Sequence, residues 1–80
     1  MTEQNHNSTY SWVDIHYKEP KLGEIVDVTF DEDITLGYTW INQAYEYVGN
    51  NTFRKENDKG QVTFLRDGVK YWRRIKENVE

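Results

Sequence analysis

Histidine, carboxylate and basic-aromatic positions are the places where this sequence could do chemistry. There are two histidines and no cysteine. His16 follows Asp14 by two, a spacing that puts both on one strand face but supplies no nucleophile and so no catalytic triad. Asp31-Glu32-Asp33, with Glu24 or Asp27 near in sequence, could offer oxygens to a hard cation. Calcium needs about six to eight oxygens in a defined loop, and no such spacing follows. The five glycines are isolated, so there is no phosphate-cradling loop. The reading is therefore of no catalytic residues, no metal, no cofactor and no enzyme. The remaining chemistry is recognition. Val69-Lys70-Tyr71-Trp72-Arg73-Arg74-Ile75-Lys76 interleaves rings with bases. Such a stretch can stack on single-stranded nucleic acid, and Trp, Tyr and Arg also favour protein interfaces. Tyr45, Tyr47, Tyr71, Arg73 and Arg74 are the expected partner-binding residues, with Tyr45, Tyr47 and Arg73 as exposed anchors.

Charge weighs between those partners. The net charge is −4, with nine acids and two bases over residues 1–51 and five acids and eight bases over 52–80. Duplex binding draws on clustered Lys and Arg, so duplex DNA is not an expected partner. A protein-interaction module is the first reading, its partner a host protein or a second copy of the chain. A nucleic-acid-associated protein is the alternative. It would be a single-strand binder through Tyr71, Trp72, Arg73 and Arg74, or an acidic DNA mimic presenting Glu24, Asp27, Asp31, Glu32 and Asp33.

The elements that must position these residues read as β. Eighty residues make one domain with a thin core, and three Trp, six Tyr and three Phe are the means of filling it. Glycines at 23, 37, 49, 60 and 68 give the turn rhythm of a β-rich chain. Strands are expected over 10–17 and over 24–30, where period two sets Val26, Val28 and Phe30 on one face. A further strand is expected through Ile34, Leu36, Tyr38 and Trp40. Over 40–48 a helical stripe competes with a strand returning at 52–55 through Gly49-Asn50-Asn51, and the hairpin is favoured. Asp67-Gly68 predicts a hairpin between 61–66 and 69–75. The fold class is mostly β, or α+β. It is a small antiparallel sheet or partly open barrel built from hairpins, with at most one short helix. Trp12 and Trp72 are expected in the core, drawing the chain ends together. Residues 1–9 read as a disordered lead, 10–76 as the domain, and 77–80 as a frayed end. No apolar run reaches the ~20 residues of a membrane span, and the start lacks a signal-peptide pattern.

These pieces resemble a small domain of unknown function from tailed phages and prophages. The likeness lies in the opening Trp12-Val13-Asp14-Ile15 and the loop and strand Pro20-Lys21-Leu22-Gly23-Glu24-Ile25-Val26-Asp27-Val28. It continues through Ala44-Tyr45, Gly49 and Phe53 to the closing Val69-Lys70-Tyr71-Trp72-Arg73-Arg74-Ile75. It covers about residues 12–75. Tyr71 stands where that family has His, and the Leu-Pro that follows its closing Trp is missing. The resemblance implies a phage or prophage accessory protein in the bacterial cytoplasm. It implies no activity.

Overall fold

The turn chemistry of the chain decides where its strands stop. In the computed structural model, which describes residues 11–75, Asp14 ends the first strand almost as soon as it begins. Its carboxylate accepts the His16 N–H at 2.8 Å. Its carbonyl accepts the N–H groups of Tyr17 and Lys18. What reads as a long strand over 10–17 is thus a two-residue β1, Val13–Asp14. Five strands follow: β2 Ile25–Thr29, β3 Asn42–Gly49, β4 Thr52–Glu56, β5 Val62–Leu65 and β6 Tyr71–Arg74. They form one antiparallel sheet in the order β1-β6-β2-β3-β4-β5, with no helix among the described residues. The strand alternative for 40–48 holds. The expected lead and frayed end fall outside the described residues, as do Tyr10 and Lys76.

Two expected pairings are corrected. The stretch from Ile34 to Trp40 is a loop. Asp33 accepts both the N–H and the hydroxyl of Thr35, Gly37 takes φ +97°, and Asp31 accepts the Trp40 N–H at 2.8 Å. These local bonds capture backbone that a ladder would need. Asp67-Gly68 is a turn but not a hairpin cap. Of the two, Gly68 alone has positive φ, the pattern of a type II turn, closed by the Val69 N–H on the Arg66 carbonyl. The turn carries the chain from β5 to β6, which pair with different strands. Phe30 ends up half-exposed beyond the end of β2, its ring 3.4 Å from where a Cβ on Gly68 would lie.

The sheet must curl for that crossing to close. Four strand spacings, about 19 Å if flat, separate β5 from β6. A turn of under ~7 Å plus three extended steps reaches about 18 Å at most. The concave side holds the core: Val26, Val28, Tyr45, Tyr47, Phe53 and Trp72, with Ile15 and Val69 from the connections. Val13 and Leu65 pack on it from the two edges. Trp72 is fully buried, as expected, and its indole N–H donates to the Lys18 carbonyl at 2.7 Å. Trp12 is half-buried on the other face, so it is not the second core ring that the sequence suggests.

Candidate functional site

Each expected contact residue has a definite place, and the sheet gives most of them structural work. Tyr45 and Tyr47 are corrected from exposed anchors to core. Tyr45 lies opposite Val26, and Tyr47 opposite Phe53 with ring centroids 4.9 Å apart. Their alternation puts both on one face, and that face is the concave one. The Tyr47 hydroxyl donates to the Glu19 carboxylate and accepts the Asn51 N–H, tying the β1–β2 connection to the β3–β4 turn. Burial first, and then the Glu19 carboxylate, hold the Tyr47 phenol above its usual pKa.

Arg73 is also corrected. It lies opposite Asp27, with Nε 3.3 Å from Oδ2, and its guanidinium stacks 4.4 Å from the Trp12 ring centroid. The second oxygen of Asp27 accepts the Ala44 N–H at 3.2 Å. At this point β3 carries two residues, Gln43 and Ala44, against the single Asp27. The buried carboxylate thus ties β6 to the β3 bulge, and Arg73 is an internal partner. Arg74 faces the other way. It lies 5.1 Å over the Trp72 ring and its Nε is 2.5 Å from Glu24. Arg54 is paired with Glu46 and Glu56. The closing aromatic-basic stretch therefore does not form a basic groove. The same pairs draw Glu24 and Asp27 out of the acidic set that a DNA mimic would present. Tyr71 is half-buried, its hydroxyl 3.5 Å from the Glu32 carbonyl. It lines an open depression of about 330 Å³ with Asp14, His16, Glu32 and Lys70. Among the described residues no three His, Asp or Glu converge as metal ligands.

The β2–β3 connection carries two of the most exposed rings; Tyr17, in the β1–β2 connection, is a third, 85% exposed. Tyr38 and Trp40 are each 76% exposed and Leu36 60%. Single exposed apolar side chains are ordinary on a protein surface; these three are set apart by falling within one short connection, Leu36 to Trp40. The connection is held in shape by the Asp31–Trp40 and Asp33–Thr35 bonds. The bond from the Thr35 hydroxyl, and then that from the Thr35 N–H, hold Asp33 below the usual carboxylate pKa. The alternation of Ile34, Leu36, Tyr38 and Trp40 predicts a strand for these rings. The signal against that was already present: Asp33 two residues before Thr35, and a glycine between Leu36 and Tyr38. Comparison of the chain with family models, with curated proteins and with solved structures returned no match.

Proposed function

We propose that the protein is a protein-interaction module whose contact element is the β2–β3 connection, with Trp40 and Tyr38 as anchors and Leu36 beside them. One observation carries this reading: two aromatic rings left three-quarters in water on a loop already ordered by its own hydrogen bonds. A pre-shaped loop loses less conformational freedom on binding. Aromatic side chains of this kind supply most of the energy at protein interfaces. The internal pairing of Arg54, Arg73 and Arg74 favours a protein partner over nucleic acid, because phosphate affinity scales with the number of unpaired bases. Following the phage resemblance, the partner is a host protein of the bacterial cytoplasm and the chain an accessory factor that modulates it.

The test is a nuclease-treated pull-down from bacterial lysate with wild-type protein and the Tyr38→Ala/Trp40→Ala double variant. The wild type retains a protein that the variant loses, while the variant's melting free energy stays within ~0.5 kcal/mol, as for exposed substitutions. Equal capture by both, or tight salt-sensitive binding to duplex DNA, overturns the proposal.

A further inference from the structure

Among the described residues the β5 edge, four residues long and with the Arg66 guanidinium 5.7 Å from the Phe64 ring centroid, carries hydrogen-bonding capacity and apolar surface with no charge, proline or bulge inside the strand. Natural edge strands are blunted by charge, proline, bulges or shortness. The opposite edge, β1, is two residues long and contains Asp14. Residues 61–65 of the β5 edge are Gln-Val-Thr-Phe-Leu, with no charge and no proline. The β4–β5 ladder runs through four consecutive pairs, from Phe53–Leu65 to Glu56–Val62, with no register shift.

The direction of the free backbone groups follows from the ladder. The Asn57 N–H donates to the Gln61 carbonyl, so Gln61 bonds toward β4. Hydrogen-bonding direction alternates along a strand. Thr63 and Leu65 therefore also bond toward β4, while Val62 and Phe64 direct their N–H and C=O groups outward. The side chains of these two residues share one face and are 43% and 49% exposed.

We infer that β5 pairs with β5 of a second copy, antiparallel about a two-fold axis through Thr63. In that register Val62 lies opposite the partner's Phe64 and Phe64 opposite the partner's Val62. All the outward groups of these residues are then satisfied in four hydrogen bonds, and four apolar side chains meet on one face. A one-residue slip sets outward groups against inward ones and concave side chains against convex ones. A two-residue slip, centred on Phe64, recruits Arg66, whose carbonyl the turn already uses. The flanking turns agree in charge. Antiparallel pairing brings Asp58-Lys59 of one copy beside Arg66-Asp67 of the other, opposite signs available at both ends. A second copy fits better than an arbitrary peptide because this one strand supplies both halves of the match. The contact is isologous, so it closes at two copies. It buries less than the ~1,200 Å² of a stable complex, so the dimer is a weak one, formed at high concentration.

Sedimentation equilibrium from 10 µM to ~1 mM reads the association, since weak contacts need the upper range. The wild type moves from 9.6 kDa toward twice that mass. Phe64→Lys weakens association at least tenfold, and Val62→Lys does the same should Phe64→Lys fail to fold. Trp40→Ala leaves it unchanged. Geometry is read by oxidation, against no background because the chain has no cysteine. Thr63 meets the partner's Thr63 as a non-hydrogen-bonded pair with Cα atoms ~4.5 Å apart, within disulfide reach. Thr63→Cys therefore cross-links at least tenfold faster than Val62→Cys. A wild type monomeric at the highest concentration, equal cross-linking rates, or association lost in Trp40→Ala and kept in the lysine variants overturns the inference.

Discussion

Ala44 has φ +59°, a left-handed conformation that costs an L-residue about 1–2 kcal/mol. It is held there because Asp27 needs a donor for its second oxygen and the bulge delivers the Ala44 N–H. The side chain is exposed and gives up no packing if removed. Ala44→Gly is expected to raise stability by about 0.5–1 kcal/mol, the relief of strain less the entropy glycine adds to the unfolded chain. Urea denaturation checks this; a destabilised variant would mean that the bulge is not strained. The Tyr47 phenol supplies a pH dependence of definite sign. Its pKa is raised in the folded state, so the stability it contributes is fully present below the unfolded tyrosine value of ~10 and is lost as pH rises through the folded value. Melting followed from pH 8 upward should fall above ~10 in the wild type and fall less in Tyr47→Phe. That variant should start lower by about 0.5–1.5 kcal/mol for the lost hydrogen bonds.

At the scale of elements, local turn chemistry was legible and partner choice was not. Gly49-Asn50-Asn51 reads as a hairpin because all three residues suit positive φ, and all three adopt it, Gly49 at the end of β3 and the two asparagines in the turn to β4. Asp67-Gly68 carries an equally strong local signal, yet β6 pairs with β2 and β1. The turn fixes how the chain bends, whereas the pairing follows from where Trp72 finds a core. Tyr45 and Tyr47 show a second limit: alternation reveals that two rings share a face without revealing which face is wet. The strand predicted through Leu36, Tyr38 and Trp40 failed because carboxylates at 31 and 33 satisfy backbone donors that the sheet would otherwise take. Trp12, just before β1, and Trp72 of β6 separate in expected effect. Trp72→Ala should cost roughly 3–5 kcal/mol by opening a cavity under the whole sheet. Trp12→Ala should cost nearer 1 kcal/mol, the loss of a partly exposed ring and its contact with Arg73. Equal losses in thermal melts would show that Trp12 belongs to the core after all.

For the molecule as a whole, the curled sheet and aromatic core follow from composition: a short, cysteine-free chain fills its interior with rings. The candidate contact surface was not legible because it consists of rings the core did not take. The charge division along the chain resolves into pairs between its parts, as Glu24 with Arg74 and Asp27 with Arg73. The position of β6 also bears on the order of assembly. It is the last strand among the described residues, yet it lies between β1 and β2. During synthesis β2 to β5 emerge as a meander able to pair at once, while β1 waits with no neighbouring strand. Trp72 reaches the interior only after almost the entire described chain has left the ribosome. The meander must meanwhile carry an open core, a state in which slow, non-local closure leaves apolar strands open to misassociation. A nascent chain arrested before Tyr71 has cleared the exit tunnel should be readily cleaved by protease, and one released a few residues beyond Arg74 should become resistant.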